Sequence, residues 1–280
     1  AAGYYPPPPG ESEIMGLECA GEIVDTGDTD RQVGEKVACL LAGGGYAEYV
    51  AVPAGQLLPI PEGYSYEQAA AGVEGAATVW SNLGMLTGLA AGQTVLIHGG
   101  AGGIGTFAIQ LAKHLGAQVA VTAGSVEKLE ACRRLGADIL INYREENFAD
   151  VLKNRCDRIL DIIGAKYLDQ NVTALAPDGH MVIIGMQGGV KGELNIGKLL
   201  AKRGTISATA LRSRSHADKA RIVTDTIKHV WPLLADGTIT HQLHATLPLA
   251  DATRAHELLR SGAVTGTLVL NVCSNEASKG

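Results

Sequence analysis

No apolar run in the chain approaches the roughly 18 residues needed to span a bilayer, so no membrane-spanning helix is expected. Positive charge is also short. Lys and Arg number 23 against 29 Asp and Glu, a formal net charge of −6, which argues against nucleic acid or an anionic membrane as the main partner. The five cysteines, Cys19, Cys39, Cys132, Cys156 and Cys273, are scattered and include no C-x-x-C pair. Neither a disulfide framework nor a zinc ribbon is suggested, and a reducing cytoplasm fits best. None of the eight tyrosines has Lys four residues on, and neither H-E-x-x-H nor G-x-S-x-G occurs. Side chains that would mark a metal hydrolase, a serine hydrolase or a Tyr/Lys reductase are therefore missing.

Glycine, by contrast, is in excess: 36 of 280 residues, without a collagen period. Such residues belong in tight turns and where backbone comes close to something else. Their placement follows a change of pattern along the chain. Residues 1–74 read as β-rich, with alternating runs at 19–25, 36–41 and 46–52 between Gly, Asp and Pro turns. An Ala-rich helical segment follows at 66–88. Apolar strands are then expected at 94–98, 118–122, 138–143, 157–163, 179–185 and 205–211. Helices separate them, including one over about 104–115 that stops at Gly116 and one over 126–135 that stops at Gly136. Six strands with helical crossovers predict a doubly wound parallel sheet. A helix near 216–231, strands at 239–247 and 266–272 and a helix at 250–260 complete the chain, and the polar tail 274–280 is expected to be loose.

The segment 98–105 reads HGGAGGIG and holds G-x-G-x-x-G as Gly100, Gly102 and Gly105, between an expected strand and an expected helix. That context makes the motif informative. Gly100 is expected to permit the tight turn, Gly102 to let backbone reach a pyrophosphate, and Gly105 to let helix pack on strand. The phosphates would meet the free N–H groups and positive end of the helix from Ile104. A P-loop is excluded, since no Gly-Lys-Ser/Thr follows. An NAD-preferring fold places Asp or Glu about 20 residues further on, at the tip of the second strand. Here the tip reads Val121-Thr122-Ala123-Gly124-Ser125, with Lys128 one turn into the next helix. A small residue, a hydroxyl and a cation suit a 2′-phosphate, so NADP(H) is expected. The competing reading leaves Lys128 solvated and lets Glu127 or Glu130 reach the ribose. His98 reads as a packed, backbone-bonded histidine, and His241 and His244 as surface residues. With no metal and no evident base, the simplest reaction is hydride transfer to an acceptor that activates itself, such as a quinone or conjugated carbonyl.

The stretches AGYYPPPPG (2–10), IMGLECAGEI (14–23), HGGAGGIGTFAIQLAK (98–113), VTAGSVEKL (121–129) and LRSRS (211–215) together carry a resemblance over nearly the whole chain. It resembles the zinc-free quinone oxidoreductases of the medium-chain dehydrogenase/reductase superfamily, and among them the p53-inducible type. Zinc-dependent members have Gly-His-Glu where this chain has Gly16-Leu17-Glu18, and their four-cysteine lobe has no counterpart here. The resemblance implies a GroES-like catalytic domain from both chain ends, 1–74 and 238–280, with an NADP(H)-binding Rossmann domain, 75–237, inserted between. The active site would be the cleft between them. Carried over by position, Tyr5 lines the nicotinamide and quinone pocket, and Thr78 lies near the nicotinamide. Ala101, Gly102, Gly103 and Ile104 hold the pyrophosphate, and Gly124, Ser125, Lys128 and Tyr143 form the 2′-phosphate pocket. Ile184, Gly185 and Met186, with Ala208, Thr209, Ala210 and Leu211, are strand ends against nicotinamide and ribose. A homodimer is implied as well. So are N-terminal strands without counterpart in the chain, making an incomplete first domain the expectation.

The expected function is therefore NADPH-dependent quinone reduction without metal. The alternatives are an NADPH-dependent enoyl or 2-alkenal reductase, and a non-catalytic NADPH-binding structural or interaction protein.

Overall fold

Strand β1 (Glu18–Glu22) and strand β2 (Lys36–Leu40) form an antiparallel pair with Glu18 opposite Leu40 and Glu22 opposite Lys36. The reversal between them is made by polar turn residues. Asp25 accepts the Gly27 N–H at 2.9 Å, and Gly27 and Gly34 take positive φ, 50° and 85°. Strand β3 (Leu57–Pro59) adds to the far side of β2. It ends in proline, which a ladder tolerates at an edge. Val37, Cys39, Leu41 and Leu57 bury one face of this sheet. These coordinates come from a computed structural model, which describes residues 7–272.

The alternating run 46–52 is not a strand. Its entry is folded back on residues 14–16 by three single bonds: Gly44 N–H to Ile14, Gly45 N–H to Gly16 and Tyr46 N–H to Met15. Val50 and Val52 still pack against the β-sheet cluster. The alternation reported burial on one side, which an irregular segment can also satisfy.

Helix α1 (Tyr66–Ala70) opens with a capping box between Ser65 and Gln68. Helix α2 (Val73–Val79) runs straight into a π-helical turn, Trp80–Leu86, where the Thr87 N–H reaches back five residues to Asn82. The expected single segment 66–88 is thus three pieces, with the wide turn in the last.

Strands and helices then alternate as β4 (Thr94–His98), α3 (Gly103–His114), β5 (Gln118–Ala123), α4 (Val126–Arg134), β6 (Ile139–Asn142), α5 (Phe148–Val151), β7 (Cys156–Asp161), α6 (Leu168–Ala174), β8 (Leu175–Ile183), α7 (Ile196–Ala201) and β9 (Thr205–Ala208). The six strands pair in parallel in the order β6-β5-β4-β7-β8-β9. Order reverses at β4, the switch point where doubly wound sheets bind ligands beyond the carboxyl ends. The strands are apolar because helices cover both faces: Val95, Leu96, Ile97, Val119, Ala120, Val121, Ile159 and Leu160 are fully buried. Gly116 and Gly136 stop their helices in the left-handed region, at φ 79° and 106°.

The chain closes with α8 (His216–His229), α9 (Trp231–Ala235), β10 (Leu243–Pro248), α10 (Ala252–Ser261) and β11 (Thr267–Asn271). β10 and β11 form a separate parallel pair. Two compact units result. One gathers the described residues up to Ala77 with those from Leu211 onward, and the other spans Thr78–Ala210. The sequence reading draws the second boundary at 237, whereas α8 belongs with the first unit because it packs on the segment after β2. A methyl group on Gly55 would lie 2.7 Å from the Ala220 Cβ. No helix among the described residues is long and apolar enough to cross a membrane.

Candidate functional site

The glycine loop leaves the carboxyl end of β4 and enters α3, and each glycine has its own reason. Gly99 takes the left-handed turn at φ 68°, a role expected of Gly100. Gly100 is needed for space instead, since a Cβ there would come within 2.9 Å of Val121 and 3.1 Å of the Cys132 Sγ. A Cβ on Gly105 would meet the Gly99 carbonyl oxygen at 2.3 Å, so α3 could not start where it does with any larger residue. Gly102 is exposed, has φ −80°, and would meet nothing closer than 3.5 Å. Packing and backbone conformation alone do not require glycine there. Gly102 is also the residue before the first turn of α3, whose leading N–H groups have no partner within the helix. A glycine turn that runs into unpartnered helix N–H groups is an arrangement that can take an anion.

β5 and β6 bring the second group together. A Cβ on Gly124 would lie 2.5 Å from the Tyr143 hydroxyl, so the phenol covers the tip of β5. Ser125 caps α4 by accepting the Lys128 N–H at 3.3 Å, and its hydroxyl donates to the Glu127 carboxylate. The Glu127 backbone N–H, and then that bond, hold its carboxyl below the ordinary carboxylate range, although it is fully exposed. No ion pair engages Lys128 among the described residues.

Thr78 and Thr209, far apart in sequence, meet through Asn82. The Asn82 amide donates to the Thr78 carbonyl at 2.8 Å and accepts the Thr209 hydroxyl at 2.7 Å. Asn82 lies within the π-helical turn Trp80–Leu86. Thr209 also bonds through its N–H to Ile183, and Ile184 donates its own to the Asp161 carbonyl. The ends of β7, β8 and β9 are thereby aligned, with Met186 exposed. Leu211 opens the other unit, and Tyr5 lies outside the described residues.

Behind the glycine loop runs a buried relay that sequence reasoning missed. His98 forms a triangle of rings with Phe148 and Tyr167, whose centroids are 4.7 and 4.9 Å from its own and 4.9 Å from each other. Its bonds go to side chains rather than backbone: Nδ1 to the Thr122 hydroxyl at 3.0 Å and Nε2 to Asn171 Oδ1 at 2.7 Å. Asn171 donates its amide to Asp161 at 3.1 Å, and Asp161 accepts the N–H groups of Ile163 and Gly164. The directions follow from the donor inventory. Asn171 turns its oxygen toward His98, so Nε2 carries the proton and Nδ1 accepts from Thr122. Burial lowers the His98 pKa to about 4, keeping it neutral, and raises Asp161 to about 6 against its backbone donors. The relay ties the loops after β4, β5 and β7 together. Asp161 had a signal, as the last residue of a strand in this fold, while Asn171 had none.

In the first unit, Glu18 accepts the Glu74 N–H at 2.7 Å at the start of α2. Although the residue keeps some accessible surface, its carboxyl group sits among densely packed atoms. Burial, then repulsion from Glu74, raises its pKa from 4.5 to about 8. A carboxyl whose folded pKa is raised contributes stability that is complete below pH 4.5 and is lost as pH climbs through about 8. Thermal stability of the wild type is therefore expected to fall between pH 5 and pH 9, and Glu18→Gln should flatten that slope. An unchanged slope in the variant would remove Glu18 as its source. His241 is also less exposed than expected: its ring lies edge-on to Tyr64, and burial lowers its pKa to about 4. Gly72 leaves it room, since a Cβ there would come within 1.8 Å of the ring. Among the described residues, no group of three or more His, Cys, Asp or Glu could hold a metal ion.

Two family profiles match the chain: an alcohol dehydrogenase GroES-like domain over residues 1–62 and a zinc-binding dehydrogenase over 103–229. The quinone oxidoreductase of Pseudomonas aeruginosa is 33% identical over 277 residues, covering 96% of this chain and 85% of that protein. The chain belongs to the quinone oxidoreductase family. Within that family, the crystal structure of the Pseudomonas syringae quinone oxidoreductase matches with a TM-score of 0.85 at 29% identity, over 96% of this chain and 84% of the other. The Escherichia coli quinone oxidoreductase, solved as a complex with NADPH, matches with a TM-score of 0.84 at 29% identity, over 95% and 84%. Membership of the medium-chain dehydrogenase/reductase superfamily follows, with its parallel six-stranded sheet and GroES-like N-terminal part.

Proposed function

We propose that this chain reduces quinones with NADPH, by hydride transfer without a metal. The observation that carries the reading is the tip of β5, where Gly124, covered by Tyr143, stands beside Ser125 and Lys128 in place of an acid. These residues fit a 2′-phosphate: Lys128 brings charge, Tyr143 a phenol, and Ser125 a hydroxyl that can leave Glu127. The cradle at Gly102 fits the pyrophosphate, held by the leading N–H groups of Gly103, Ile104 and Gly105 at the positive end of α3. Ile184 to Met186, and Ala208 to Ala210, would support the nicotinamide and its ribose, with Thr78 held in place by Asn82. When bound, the cofactor supplies the hydride. A quinone takes the resulting charge on its own oxygen, and solvent supplies the proton, so no acid is demanded of the protein. Leu17 offers no ligand atom where zinc-dependent members carry histidine, in keeping with a metal-free reaction.

The test is NADPH consumption with 1,2-naphthoquinone against 2-alkenals, run beside a fluorescence titration with NADPH. Quinone-dependent oxidation of NADPH is expected, with NADH a poorer donor. A preparation that binds NADPH but consumes none with quinones would sink the reading. Faster turnover of alkenals would move it to enoyl reduction. Binding with no turnover of either would make the chain an NADPH-binding structural or interaction protein.

A further inference from the structure

The five cysteines form no pattern in the sequence, but the β1·β2 ladder sets two of them directly opposite each other, Cys19 against Cys39. The Leu41 N–H bonds to Leu17 and the Ile23 N–H to Glu35, which fixes the alternation. Cys19 and Cys39 therefore form a hydrogen-bonded cross-strand pair, whose Cα atoms stand about 5.5 Å apart. That spacing lies inside the roughly 4.4–6.8 Å window of disulfides. Directly opposed side chains share a face, and both pack in the cluster with Val37, Leu41 and Leu57. Each thiol influences the ionisation of the other across the ladder. Cys39 is buried and Cys19 is partly exposed. Of the two, Cys19 is the less enclosed residue.

From this geometry we infer that Cys19 and Cys39 are an oxidisable dithiol, converted by hydrogen peroxide to a cross-strand disulfide. In the first step the Cys19 sulfur attacks a peroxide oxygen. An S–O bond forms, the O–O bond breaks, and the departing oxygen leaves as water with the thiol's proton, giving a sulfenic acid. In the second step the Cys39 sulfur attacks the Cys19 sulfur. An S–S bond forms, the S–O bond breaks, and hydroxide leaves as water with the Cys39 proton. Two electrons pass from the thiols to one peroxide, and two waters result.

The electrostatics agree with these roles. The facing Cys39 lowers the Cys19 thiol, while Cys19 and then burial raise Cys39. The other two described cysteines are unsuited: burial pushes Cys132 up to about 11 and Cys156 up to about 12. Closing the bond would link β1 to β2 beside Glu18, stiffening the strand that holds the start of α2. The inference stands independently of the quinone reading.

The experiment exposes the full chain to hydrogen peroxide, stops it with catalase, alkylates remaining thiols under denaturing conditions and maps tryptic peptides. Cleavage after Arg31 and Lys36 separates the two cysteines, so a linked peptide reports the bond. The expected result is a Cys19–Cys39 peptide that dithiothreitol dissolves. Cys19 should lose its free thiol at least about tenfold faster than Cys132 or Cys156, and the oxidised chain should unfold at higher temperature. In Cys39→Ser, Cys19 should stop at sulfenic acid, trapped by dimedone. The wild-type map decides even if that variant fails to fold. Oxidation of Cys19 to sulfinic acid without linkage would overturn the inference. So would a Cys19 and Cys39 pair still alkylatable once Cys132 and Cys156 have reacted.

Discussion

Gly105→Ala is expected to cost about 3 kcal/mol of stability and to weaken NADPH binding by roughly 100-fold. The added methyl would sit 2.3 Å from the Gly99 carbonyl oxygen and 2.6 Å from the Gly100 Cα. Both are backbone atoms, so no side-chain rotation relieves the clash, and either α3 or the loop must move. Movement of the loop also disturbs the relay, because the Gly99 N–H is aimed at Thr122 and Thr122 at His98. Gly102→Ala is the informative partner. Its backbone suits alanine, and nothing lies within 3.4 Å of the added methyl. The variant should unfold at nearly the wild-type temperature yet lose NADPH affinity, because its methyl occupies space through which the phosphate reaches the loop. Thermal melts and fluorescence titrations of both variants make the comparison. Equal NADPH affinity in Gly102→Ala and wild type would detach the loop from cofactor binding.

Lys128→Ala is expected to raise the Kd for NADPH about 10- to 50-fold and that for NADH by less than about twofold. The reason is local. Lys128 is the one cation in the first turn of α4, beside a strand tip that carries Gly124 rather than an acid. A partly exposed ammonium is screened, so the wild-type preference for NADPH should shrink as salt rises from about 0.05 to 0.5 M. Loss of NADPH and NADH affinity by the same factor would refute the 2′-phosphate assignment. Glu127 supplies a control of opposite sign. Its carboxylate takes the Ser125 hydroxyl and stands near the same tip, so Glu127→Gln should favour NADPH slightly.

Much of the second unit was legible because its signals are local. Apolar strands buried on both faces read as unbroken runs, and helices ended at Gly116 and Gly136 where positive φ demanded it. The glycine loop was recognisable from spacing and context, although the left-handed residue proved to be Gly99. In the first unit the same reading was weaker. The run 46–52 alternates as a strand does, and yet single bonds to residues 14–16 take up its entry. Alternation registers burial, not ladder pairing.

What the sequence determined by itself is therefore what a short stretch can encode. It set the parallel α/β order of the second unit, the glycine turn at 99–105 and the absence of an acid at Gly124. What depends on residues brought together from distant positions was decided only by the tertiary structure. The Asn82–Thr209 bond joins residues 127 apart, and the His98–Asn171–Asp161 relay needs strand ends and a helix in register. The pairing of Cys19 with Cys39 exists only through the β1·β2 ladder. Hydrogen bonds and thiol contacts act over about 3–4 Å, and a spacing of 20 or 70 residues along the chain carries no trace of them until the fold closes it.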